Sequence, residues 1–271
     1  MATGTSATGT GERRSEAVDV GGLEMHLQSA GEWSGTPVVV LHHSTGPLWT
    51  PFHDRLAERR RVVVPDLPGY GRSARPVTAR APRDLAIRAL QLFDVLGVGP
   101  VHLVGLGLGG WVAAEMATMH QSALSSLVLV GAAGIKPRTG EIFDPMMSSP
   151  VTYGRRCFSA DERFDALFGE EPSPELAEVW DWSREMTARI TWRPWMWSGQ
   201  LPDLLRGVRT PALVVWGDTD RVVPIDCGQQ YAELLPAARL ETVAAAGHCV
   251  DLEQPDALAS VVERFFDEQE G

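Results

Sequence analysis

The segment from Val101 to Trp111 constrains this chain more than any other. Val101, His102, Leu103 and Val104 form a short apolar run of strand character, and Gly105, Gly107, Gly109 and Gly110 then crowd together before a helical pattern begins. A strand that turns into a helix within a few residues needs backbone angles that only glycine takes freely. The segment therefore reads as strand, tight turn, helix. Similar apolar runs rich in β-branched residues occupy 38–41, 62–64, 127–130 and 213–215, while helical periodicity occupies 83–96, 110–119, 229–234 and 255–268. Apolar runs without polar alternation, with helices between them, predict a mostly parallel sheet, buried on both faces and doubly wound by right-handed crossovers. Ahead of them, 17–20 and 23–27 alternate in the strand period around Gly21 and Gly22, a hairpin signal.

A chain of 271 residues suits one large α/β domain, and no linker-like stretch divides it. Residues 1–16 are rich in Gly, Thr, Ser and Ala and lack an apolar stretch, so they read as a disordered tail and not a signal peptide. Core sequence then runs over 17–133 and 201–271. Between them, 134–200 has no strand-like run and carries a dense set of Phe, Trp and Met in mostly helical sequence. A formal charge of −11 argues against nucleic acid or an anionic membrane as partner and is compatible with a small ligand. Cys157, Cys227 and Cys249 lie far apart without metal-ligand spacing, which points to a reducing compartment, and the expected location is cytoplasmic. Oligomeric state is not legible in the sequence.

The residues with chemical meaning follow a definite order. Pro37 to Leu41 runs into His42, His43, Ser44, Thr45, Gly46 and Pro47, and Asp66 to Ser73 spells D-x-x-G-x-G-x-S. Gly105 to Gly109 reads G-x-G-x-G, Gly217 to Pro224 contains Asp218 and Asp220, and Ala246-Gly247-His248 precedes the final amphipathic segment. In this order the chain resembles the α/β-hydrolase superfamily, notably its small-molecule members: meta-cleavage carbon–carbon hydrolases, esterases and epoxide hydrolases. The resemblance runs from roughly residue 20 to the C-terminus. It implies an α/β-hydrolase fold with 134–200 inserted late in the sheet as a helical cap over the active site. It also implies His248 as the catalytic histidine and Asp220 as its acid, with Asp218 a rival on the same loop, and Gly107 at the nucleophile position of the elbow. The oxyanion hole falls to the backbone N–H of Leu108 and one from the His43–Ser44 stretch.

Gly107 departs from the pattern, because a serine belongs there. Glycine cannot form an acyl-enzyme, and epoxide-hydrolase or dehalogenase chemistry needs aspartate at that place. A histidine, its orienting acid and an anion-stabilising pocket suit proton transfer next to a carbonyl. Elimination, isomerisation, cyclisation, carbon–carbon cleavage and hydrolysis by activated water all follow from such a set. By the geometry the resemblance implies, Ser44 has no base placed to activate it; Cys249 directly follows His248, and neighbours in sequence seldom face each other productively; His43 adds a second imidazole close to the expected pocket. Trp192, Arg193, Trp195 and Trp197 are expected to line an apolar substrate pocket, with Arg193 meeting a carboxylate or enolate. No cofactor or metal is expected. Two other readings remain open: a catalytically inactive homologue that binds a small ligand or a partner, and a serine hydrolase engineered to Gly107.

Overall fold

The computed structural model describes residues 12–32 and 35–271. Strands β1 (Arg14–Asp19), β2 (Glu24–Ala30), β3 (Val38–Leu41), β4 (Val62–Pro65), β5 (Val101–Leu106), β6 (Leu124–Val130), β7 (Ala212–Gly217) and β8 (Ala238–Val243) form one sheet. Their order is β1-β2-β4-β3-β5-β6-β7-β8. The β1–β2 and β2–β4 pairs are antiparallel and every other pair is parallel. Helix α1 (Pro51–Ala57) follows β3, α2 (Pro82–Leu96) follows β4, and α3 (Leu108–Met119) follows β5. Helices α4 (Pro150–Arg156), α5 (Asp161–Phe168), α6 (Pro174–Thr191) and α7 (Leu201–Leu205) lie between β6 and β7. After β7 comes α8 (Ile225–Leu234), and after β8 come α9 (Val250–Glu253) and α10 (Pro255–Glu270).

The two-residue period of the strands sorts the core onto two faces. Val39, Leu41, Leu103, Leu127 and Leu129 pack with α2 and α3, whereas Val38, Val40, Val64, Val104 and Val128 pack with Phe52 of α1 and Leu258, Val262 and Phe266 of α10. This is the doubly wound arrangement that uninterrupted apolar strands require. The chain leaves β3 for β4 on one side and returns to β5 on the other, so the loops after β3 and β5 diverge from adjacent strand ends. A crevice opens at such a switch point. Leu41 pairs with Gly105 in register, which places His43 and Gly107 side by side beyond the sheet.

Two sheet edges differ from the sequence expectation. Arg14, Ser15 and Glu16, assigned by sequence to the tail, pair with Ser29, Gln28 and Leu27. They are exposed on both faces, so no apolar alternation marks them, and their charges suit an edge strand. Residues 1–11 of the tail lie outside the described residues. At the other edge β8 is only half-buried, which removes the signal that identified the inner strands.

The segment 134–200 adds no strand to the sheet. Its base is closed where Gly134 donates its N–H to Met196 O at 3.0 Å and Ser198 donates to Gly134 O at 2.9 Å. Above that, Phe158, Phe164, Phe168 and Trp180 pack ring against ring, with centroids 5.2–6.1 Å apart. The insert meets the sheet-end loops through Tyr70 OH to Thr187 Oγ1 at 2.8 Å and Ser44 Oγ to Tyr153 OH at 2.8 Å.

Candidate active site

Gly107 forms the whole turn between β5 and α3, with φ 53° and ψ −111°. A residue with a side chain adopts that region only at a cost of about 1–3 kcal/mol. Two residues on, Gly109 donates its N–H to His42 O at 3.1 Å, and a Cβ there would lie 2.4 Å from Leu41 O. That close approach draws the loop after β3 onto the start of α3. Leu108, the first residue of α3, carries an amide that the helix itself cannot satisfy.

The loop after β7 supplies Asp220. Its Oδ1 accepts the Val222 and Val223 amides at 2.8 and 2.9 Å, and its Oδ2 accepts from His248 Nδ1 at 2.9 Å. Both side chains are buried, at 3% exposure for His248 and 2% for Asp220. Because the carboxylate accepts from Nδ1–H, the tautomer is fixed and Nε2 is left to face Gly107. Burial alone would depress the imidazole, but the charge and hydrogen bond of Asp220 outweigh it and raise His248 to about 9. Asp218, the rival acid, is exposed and accepts from the Ala246 amide and the Thr219 hydroxyl.

His43 forms a second imidazole–carboxylate pair. Its Nε2 donates to Asp251 Oδ1 at 2.9 Å, with both side chains buried. Asp251, on α9, is held below the usual carboxylate range: burial opposes this, but His43, and more weakly His53, outweigh it. The His43 Nδ1 is buried without a hydrogen-bond partner. The His43 and His248 rings stand 5.1 Å apart at 57°. A Cβ built on Gly107 would lie 2.7 Å from His43 Nδ1 and 2.8 Å from His248 Nε2, so the two free nitrogens converge over the glycine. Sequence reasoning passed over Asp251; the signal available was an acid three residues after His248 in a turn leading to a helix.

The other sequence candidates are placed as follows. Ser44 Oγ is engaged by Tyr153 OH, and Ser44 O accepts from Thr187 Oγ1 at 3.3 Å. Cys249 is buried, and its hydrogen bond to Cys157 and its burial push the thiol well above its ordinary range, which suppresses the thiolate a nucleophile needs. His43, Cys249 and Asp251 have metal-ligand atoms within 4.8 Å of one another, but His43 Nε2 and Asp251 Oδ1 are already committed to their mutual bond. The Asp66 turn is structural: Oδ2 accepts the Arg72 amide at 2.8 Å, and Ser73 Oγ donates to Asp66 O at 2.7 Å.

A cavity of about 40 Å³ lies between the insert and the loop after β3, walled by Thr45, Pro47, Phe158, Phe164, Trp180, Cys249 and Leu252 among others. Thr45 and Cys249 make its wall next to Ser44 and His248, while His43, Gly107 and His248 are not part of its lining. Trp192, Arg193, Trp195 and Trp197, the residues expected to line the substrate pocket, are not part of this cavity's lining. Trp192 and Arg193 are exposed, and Trp195 and Trp197 border a separate surface cleft with Lys136 and Ile142. The cause is the bridge between Gly134 and Trp197, which holds this segment at the base of the insert, where the Lys136 ammonium sits 5.3 Å from the Trp197 ring.

Among curated proteins, the chain is 26% identical to the 2-hydroxymuconate semialdehyde hydrolase of Pseudomonas sp. strain CF600, over 91% of this chain and 92% of that protein. It is 28% identical to the 2-hydroxy-6-oxononadienedioate/2-hydroxy-6-oxononatrienedioate hydrolase of Burkholderia vietnamiensis, over 90% and 91% of the two chains. Among solved structures, the 2-hydroxy-6-oxo-6-phenylhexa-2,4-dienoate hydrolase of Rhodococcus sp. strain RHA1 superposes with a TM-score of 0.73 at 23% identity, covering 94% of this chain and 99% of that one. The sequence profile of the alpha/beta hydrolase family matches residues 38–261. With the mostly parallel sheet, that match establishes that the chain belongs to the alpha/beta hydrolase family.

Proposed function

We propose that this protein is a cofactor-independent enzyme acting on a small carbonyl compound by histidine–aspartate acid/base chemistry, without a covalent acyl-enzyme. In this reading Gly107 stands at the nucleophile position, His248 moves the proton, Asp220 orients it, and the Leu108 amide with one from the His43–Ser44 stretch holds the developing oxyanion. The insert 134–200 acts as the cap. The observation that carries the reading is the convergence of the buried His248 Nε2 on a turn residue that has no side chain. An oriented imidazole remains where a nucleophile is missing, which is useful for proton transfer and of no use for acyl transfer through residue 107. Because meta-cleavage hydrolases recur among the relatives, carbon–carbon hydrolysis is the reaction to test first.

The test is turnover of 2-hydroxymuconate semialdehyde, the compound in the Pseudomonas relative's name, followed by loss of its absorbance. His248→Ala should lower the rate by about 10²–10⁴-fold with binding nearly unchanged, and Asp220→Asn should cost less. Equal rates for His248→Ala and the parent would end the proposal, as would a stoichiometric fluorophosphonate adduct on Ser44 or Cys249.

One observation favours a second reading, a binding protein without catalysis. His43, Gly107 and His248 are not part of the apolar cavity's lining. Under that reading, calorimetric affinity for a ligand would depend on Phe164 and Trp180 and be indifferent to His248.

A further inference from the structure

The two imidazole–carboxylate pairs mirror each other across Gly107. Each histidine gives one N–H to a buried aspartate, Asp220 for His248 and Asp251 for His43, and each turns its other nitrogen to the same space. We propose that His43 and His248 are an acid/base pair sharing one transferable proton, His248 as donor and His43 as acceptor, with Asp251 the positioning residue for His43. This assignment rests on the reading that the site acts on a carbonyl compound.

Three observations support it. First, the hydrogen bond to Asp251 leaves a lone pair on Nδ1 when His43 is neutral, and this nitrogen is buried with no partner in the protein. Buried polar atoms are seldom left in that state unless something else fills the place. Second, a side chain at residue 107 would stand between the two nitrogens, since even a Cβ comes within 2.7 and 2.8 Å of them. Third, two N–H groups aimed at one space repel each other, and two lone pairs offer an oxygen no acidic partner. One proton between them sets a donor opposite an acceptor, as in paired carboxylates that cannot both ionise. Protonation of His248 up to about 9 makes it the member that holds the proton at neutral pH. Around the pair stand Asp220, Asp251, Cys157, Cys249, Tyr153 and, from α1, His53; burial keeps Tyr153 and His53 neutral.

The step balances without an added reactant. His43 Nδ1 takes a proton from the carbon beside the carbonyl, the C–H electron pair becomes the C=C bond, and the carbonyl oxygen takes the proton from His248 Nε2. A neutral ketone becomes a neutral enol while one positive charge passes from His248 to His43. Reversal at another carbon returns it and completes a proton shift.

The test uses the full chain labelled with ¹⁵N-histidine, with imidazole nitrogen shifts followed against pH and no ligand added. In His43→Gln the titration of His248 should move by about one pH unit, because coupled groups titrate as a pair. Asp251→Asn keeps an acceptor for Nε2–H but removes a charge that raises His248, so the His248 titration should move down; this variant serves if His43→Gln does not fold. A His248 titration unmoved in both variants overturns the proposal. With 2-hydroxymuconate semialdehyde, kcat/KM should fall as pH rises through about 9, and His43→Gln should lower kcat by about 10²-fold with KM little changed. A rate that rises through that pH makes His248 the base; the pair then fails while the carbonyl reading survives. Coupled titration without turnover of this compound leaves the pair standing and removes the substrate assignment.

Discussion

At the scale of single residues, Gly107 carries more of the site than any side chain. Alanine or serine there must accept a positive φ and also displace His43 or His248, since the new Cβ would meet ring nitrogens and not open space. Gly107→Ala should therefore destabilise by more than the about 1–3 kcal/mol of backbone strain alone. Urea unfolding measures this, and a loss below that range would mean the rings swing away freely. Restoring a serine is, by the same geometry, no simple repair, because the imidazoles occupy the space its side chain needs. His42 shows how differently a neighbouring histidine can be used. Its Nδ1–H donates to His43 O at 2.7 Å and its Nε2 accepts the Leu67 amide at 3.0 Å, so it is a fixed neutral strut.

Among elements, the insert is tied to the core by polar contacts such as Ser159 to Glu253, Arg221 to Phe158 O and the Cys249 amide to Cys157 O, and it has an aromatic core of its own. Phe164→Ala should cost about 3–5 kcal/mol by leaving a void among Phe158, Phe168 and Trp180. Its effect should be local: amide hydrogen exchange should quicken in α4–α6 while β3, β5 and β6 stay protected. Uniform quickening across the sheet would show that insert and core open as one unit. The same contrast explains what the sequence revealed. Strands β3 to β7 were legible because they are buried on both faces, and a continuous apolar run has no other economical reading. The start of β1 and all of β8 lie at the edges, where exposed and half-exposed positions blur the pattern. In the site, His248 and Asp220 could be found from loop order. Asp251 could not, since its partnership depends on the direction of the His43 ring. For Trp192–Trp197, aromatic density marks packing without saying on which side of the insert it lies.

For the whole molecule, buried histidines of opposite character give stability a maximum in pH. His248 has a folded value of about 9, above its ordinary 6.5, so its contribution is complete below 6.5 and is lost as pH rises through about 9. His42 and His53 behave in reverse. Burial, as the largest influence, lowers each to about 4, and protonation would turn a second N–H of His42 against the Leu67 amide and one of His53 against the Thr50 amide. As pH falls below 6.5 the unfolded chain takes up protons at these two positions and the folded chain does not, so stability is lost between 6.5 and about 4. A displacement of this size corresponds to about 3 kcal/mol per group at the end of its window. Urea midpoints measured across pH should therefore peak near 6.5 and fall on both sides. His248→Gln should flatten the alkaline limb alone and His53→Gln the acid limb alone, because each group titrates in its own window. An alkaline limb that keeps its slope in His248→Gln would mean that the imidazole is not held protonated by Asp220, and that His248 is free to serve as a base at neutral pH.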